Sequence, residues 1–176
     1  MSVGQMMAKT LNALKGWPNP AAVDFHTEFD PSVTQEVPPG AVVRLNNAGR
    51  YVLGVGNTKA MPLFLFAGSR DPDVVNISGN PATDKGVFVP IAPTGQAMAL
   101  PAVGAYELVS THFVPGSYPP NTPLTSPSTG PNAGRLAPGT LYTDMIVGFV
   151  SRGVVDNGYG YDAVAFWPFP VFPMTT

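Results

Sequence analysis

"DMIVGFVSRGVVDNGYGYDAVAFW", residues 144–167, consists of two apolar runs around a glycine-rich centre. "DMIVGFVS" (144–151) and "DAVAFW" (162–167) are rich in the branched and aromatic residues that suit a pleated, half-buried surface. "DNGYGYD" (156–162) between them supplies Asn-Gly and a further glycine, the residues that tolerate the backbone of a tight turn. Its two aspartates give it the look of a cation loop. It lacks the spaced carboxylates and closing glutamate of one, so a hairpin is the reading. The stretch Asp71-Pro-Asp73 fails as a metal loop for the same reason.

The same grammar runs upstream. "AVVRL" (41–45), "RYVLGV" (50–55), "PLFLFA" (62–67), "GVFVPIA" (86–92) and "AYELVS" (105–110) are short β-rich runs bounded by Gly, Pro, Asn or Asp. Seven such runs predict an all-β body, a small barrel or a sandwich. No internal repeat of fixed period is present.

Four segments do not fit the strand pattern. Residues 2–15 place Val3, Met7, Leu11 and Leu14 at spacings of four, four and three, which predicts a helix with one apolar stripe. Ser2 is placed to cap it, and Gly16 with Trp17-Pro18 to end it. Residues 17–39 hold five prolines and no sustained period, which predicts an extended arm. Residues 1–36 are therefore expected to form a helix and arm, and 37–176 the β-domain. Within that domain, residues 114–139 carry seven prolines, a long loop with a pre-ordered path. The chain closes on "VAFWPFPVFP" (164–173), ten apolar positions with three prolines. Proline has no amide to donate, so this tail belongs at a sheet edge or an irregular segment.

Composition narrows the function. Only 11% of the 176 residues are charged against about 25% in an ordinary soluble domain, which predicts a surface covered by partners or copies. Net charge is −2 and the nine Lys and Arg are scattered from Lys9 to Arg152, so no basic stripe is offered to nucleic acid. No apolar run reaches the roughly 18 residues of a membrane helix, and the first residues lack a secretory pattern. There is no cysteine for disulfides, thiol chemistry or metal ligation. His26 and His112 lie in different regions and are read as structural or solvent-facing. No nucleophile elbow, P-loop or zinc-protease helix is present. The expectation is a non-enzymatic protein without metal or cofactor.

What remains is apolar surface. Three contact elements are expected: the N-terminal helix and arm through Met7, Leu11, Leu14, Trp17 and Phe25; the long loop around Tyr118 and Leu124; and the tail through Phe166, Trp167, Phe169 and Phe172. For the helix and arm, contact between subunits is favoured. For the tail, sealing of its own domain and contact with a neighbour both stand.

Several short motifs go beyond composition. Pro39, Gly40, Val42 and Val43 open the β region; Glu107, Leu108, Ser110, Thr111 and Phe113 form a strand leading to Pro123, Leu124 and Thr125. Val147, Gly148 and Val150 follow, and Phe166-Trp167 ends the last strand. Over residues 37–170 this succession resembles the capsid decoration (cement, head-stabilising) proteins of tailed bacteriophages. The resemblance implies a virion protein made in the host bacterial cytoplasm, bound as a homotrimer to the outer face of an icosahedral capsid. There it would clamp adjacent capsomers of the major capsid protein. The alternatives are another virion component (tail, baseplate or head fibre) and a carbohydrate-binding β-module.

Overall fold

A computed structural model of the chain describes residues 11–15, 25–35, 37–38, 40–70, 96–101, 107–157 and 160–174. Within them lie eleven strands in two antiparallel sheets and no helix. The hairpin read from residues 144–167 forms, longer than its sequence boundaries. Ile146–Asp156 (here β10) pairs with Asp162–Val171 (β11), from Asp156 opposite Asp162 down to Ile146 opposite Val171.

Around this hairpin the six-stranded sheet runs β1-β7-β11-β10-β8-β9, with β1 at Leu11–Lys15, β7 at Glu107–Ser110, β8 at Pro123–Thr125 and β9 at Ala137–Pro138. The five-stranded sheet runs β2-β6-β5-β3-β4: Phe25–Glu28, Gln96–Pro101, Leu63–Arg70, Val42–Leu45 and Tyr51–Leu53. Both sheets remain open, so of the two architectures expected the closed barrel is not the one formed.

Alternation of side chains explains why the sheets stack. Leu108, Val164 and Phe166 from one sheet and Val42 and Phe64 from the other share one buried cluster. Their neighbours Val109, Ala163 and Ala165 point to the opposite face, and Val43, Leu63 and Leu65 do the same on the second sheet. The rings of Phe64 and Phe166 meet across the interface at 5.3 Å. The five-stranded sheet is therefore buried on both faces at Val42–Val43 of β3 and Leu63–Leu65 of β5.

Its second face is covered by the segment expected to be a free arm. β2 pairs with β6, Phe29 bridges to Tyr51 with its ring 5.6 Å away, and Val33 and Val37 are buried beside Val43 and Leu65. From Phe25 onward the described residues of this segment pair with or pack on the five-stranded sheet. The reason lies in side chains: Phe29, Val33 and Val37 find an apolar sheet within reach, and a proline-broken backbone can still cover a face it does not pair with.

The expected helix is corrected in part. Residues 2–10 lie outside the described residues, and Leu11–Lys15 pairs with β7 as a strand. A helix of one apolar stripe is marginal alone, and an available strand edge satisfies the same backbone groups non-locally.

Asp30 anchors the turn that begins the covering segment. Its carboxylate accepts from the Ser32 amide (3.0 Å), the Ser32 hydroxyl (2.7 Å) and Asn46 Nδ2 (2.7 Å), the last tying the turn to the β3–β4 hairpin. These bonds, the Ser32 amide first, hold its pKa below the usual aspartate value. A depressed carboxylate pKa stabilises fully above the ordinary value and stops doing so as pH falls through the lowered one. Asp30→Asn should therefore melt at a lower temperature than the parent at neutral pH, with the gap closing below about pH 4. A gap that persists unchanged into acid would show that charge at Asp30 is not what matters.

Candidate functional site

β11 changes character after Phe166. Up to that residue it is flanked on both sides: β10 pairs along its length, and β7 pairs with Val164, Ala165 and Phe166. Beyond Phe166, among the described residues, only β10 accompanies it. Pro168 and Pro170 both fall within this stretch that lacks a β7 partner, Pro170 inside the register shift between Pro168 and Val171. A strand tolerates proline at such an edge, and the missing donors hinder another strand from adding to it.

Alternation then decides which side chains are left uncovered. Phe166 points into the core with no exposure and Pro168 is buried, so Trp167 and Phe169 point outward, 39% and 62% exposed. Phe149 of β10 stands directly opposite Trp167, and its ring lies 6.4 Å from that of Phe169. Past β11, Phe172 and Met174 are also exposed. The Met174 amide donates to the Tyr142 carbonyl at 2.9 Å, fastening the end of the tail to the 141–143 turn. Leu141 and Tyr142 in that turn are exposed too, and Tyr142 holds a positive φ of 69°. An aromatic residue in that region is uncommon and carries a cost of about 1 kcal/mol or more.

The result is a row of large apolar side chains on a rigid hairpin, with no charged residue between Ala163 and Met174. Such a row is adhesive rather than chemically reactive. Among the described residues no group of three His, Asp or Glu is placed to hold a metal. No described helix is long and apolar enough to cross a membrane.

Charge is concentrated beside the row. Val150 pairs with Phe166 and Gly153 with Ala165, so Ser151 and Arg152 are extra residues in β10, a bulge. The bulge aims both at Glu107 of β7, across β11. The Ser151 hydroxyl and Arg152 Nε (3.0 Å) donate to Oε1 of that buried carboxylate. Its other oxygen is buried with no hydrogen-bond partner among the described residues. A buried carboxylate of this kind is a specific link between β7 and β10 rather than a large source of stability.

The residues expected as contacts divide into three groups. Met7 and Trp17 lie outside the described residues; Leu11 and Leu14 stand in β1 and Phe25 in β2. Tyr118, Leu124 and Phe166 are core residues and are not exposed anchors. The long loop closes on its own domain: β8 and β9 form within it, Phe113 meets Tyr118 edge-on at 5.5 Å, and the Tyr118 hydroxyl donates to the Val114 carbonyl. Its prolines shape turns over the core, where Tyr118 and Leu124 find burial locally. Trp167, Phe169 and Phe172 are the three that the structure leaves uncovered. Leu141, Tyr142 and Met174 join them without having been singled out, with Phe149 partly buried beside Phe169 and Trp167. Counting register back from the Asp156–Asp162 pair would place Phe149 opposite Phe169; the bulge at Ser151 and Arg152 moves it opposite Trp167, a shift the sequence did not announce. Nor did it announce the turn backbone at Tyr142.

No protein-family model, curated protein or solved structure matches this chain.

Proposed function

We propose that this chain is a structural protein of a bacteriophage head. It docks on the outer face of the icosahedral capsid as a homotrimer and clamps adjacent capsomers of the major capsid protein. The carrying observation is the uncharged aromatic row of Trp167, Phe169 and Phe172 on a proline-blunted strand. The motif resemblance to decoration proteins over residues 37–170 supports the same reading. Blunting directs the partner: it meets side chains, not a backbone edge, so docking adds burial without risking open-ended strand addition. Three copies of a modest apolar contact in one trimer hold by avidity.

The test uses empty heads of the encoding phage that lack this protein. The purified chain should co-sediment with them and run as a trimer in sedimentation velocity. Trp167→Ser with Phe169→Ser should weaken head binding by about 3 kcal/mol, roughly a hundredfold, at a melting temperature close to that of the parent. A chain that stays in the supernatant with heads, or sediments with purified tails instead, would overturn the proposal.

A further inference from the structure

On the opposite side of the molecule, a depression of about 280 Å³ opens between the turn at residues 32–35 and the loop at 128–133, beside Val52 and Leu53 of β4. Its floor is apolar, made by Val33, Leu53 and Ala133, all buried. Its rim carries Thr34 and Gln35 on one wall and Ser128 and Thr129 on the other, and among the described residues no charged side chain lines it. None of those four rim side chains has a hydrogen-bond partner among the described residues.

Both walls are set before any ligand arrives. Asp30 holds the first through Ser32, and the Val33 amide donates to the Asp30 carbonyl at 2.9 Å. In the second, the Ala133 amide donates to Gly130 O (3.1 Å) and the Gly134 amide to Pro127 O (3.0 Å). A site fixed in this way loses little entropy on binding.

The lining selects a chemistry. An ion would give up hydration and meet no counter-charge. A purely apolar ligand would cover the rim hydroxyls and leave them unpaired. A ligand with a C–H face for the floor and hydroxyls at its edge satisfies both surfaces, because hydroxyl and amide groups donate and accept alike. An extended peptide fits less well: it docks through backbone bonds, and the amides of Ser32, Val33, Ala133 and Gly134 are already used in their own turns. We propose that this depression is a binding site for a neutral saccharide unit, with Thr34, Gln35, Ser128 and Thr129 as its polar contacts.

The experiment is amide-resolved NMR titration of the full chain with maltose, cellobiose, lactose and chitobiose, and with a heparin disaccharide and a proline-rich peptide as competitors of other chemistry. At least one neutral sugar should shift the amides of residues 32–35 and 128–130 saturably in the millimolar range. Thr34→Ala with Thr129→Ala, both at exposed positions, should weaken that binding about tenfold while leaving the rest of the spectrum in place. Absence of saturable shifts with all four sugars overturns the assignment. So does equal affinity in the double variant, or tighter binding of the charged sugar or the peptide at the same amides.

Discussion

Phe166→Ala is expected to lower the free energy of unfolding by about 3–5 kcal/mol. Phe166 is fully buried, and its ring lies 5.3 Å from Phe64 across the interface that joins the two sheets. Truncation removes both the apolar burial and a tilted aromatic contact, the latter worth about 0.5–1.5 kcal/mol. Two open sheets fastened by one layer of side chains have no neighbouring turn of helix to collapse into the cavity. The size of the loss matters against a whole-domain stability of about 5–15 kcal/mol. Trp167→Ala, one residue further along the same strand, is the internal control. Its side chain faces outward and is 39% exposed, so its effect on stability should stay within about 1 kcal/mol. Denaturant unfolding of the two variants under one set of conditions decides the matter. Equal losses at the two positions would mean that Trp167 seals the domain as Phe166 does, and that the aromatic row is not a free surface.

Gly54→Ala is expected to cost about 2–4 kcal/mol, an uncommon penalty for adding one methyl group. Gly54 has φ +62°, and a Cβ there would stand 1.8 Å from the Pro127 carbonyl oxygen. The loop cannot easily retreat. The amides of Val55 and Gly56 both donate to Ser126 O at 2.9 Å, the Val42 amide donates to Gly134 O, and Arg44 Nη1 holds the carbonyls of Leu53 and Gly54. Relieving the overlap means moving the 126–134 segment off the end of β4. Hydrogen exchange at Val55 and Gly56 should therefore accelerate in the variant together with the loss of stability. Gly130→Ala separates overlap from backbone conformation, because Gly130 has φ +76° but open space where the Cβ would go. It should cost only about 1 kcal/mol. If both alanines cost the same, close approach at Gly54 is not the cause.

The two substitutions also affect different surfaces. Loosening the 126–134 segment disturbs one wall of the proposed saccharide site, whereas the aromatic row stands on β11 and should retain its contacts. Head binding that survives Gly54→Ala while sugar binding falls would be the expected pattern.

Sequence alone was enough for the properties that depend on near neighbours. Runs of β-branched and aromatic residues bounded by Gly, Pro and Asn mark strands because the pleat and the turn are local geometries. The hairpin of β10 and β11 and the all-β class both follow from that. The tertiary structure decided what depends on a distant partner. Leu11–Lys15 reads as helix by spacing but takes the free edge of β7, a strand roughly a hundred residues away. Phe29, Val33 and Val37 read as an arm until a sheet stands beside them, and Tyr118 reads as an anchor until Phe113 and the core receive it. Most of all, parity along β11 separates Phe166 from Trp167. One residue inward and the next outward is a matter of register, and register is set by β7 and β10. Composition supplied the apolar tail; only its pairing partners determined which of its aromatics remain free to bind.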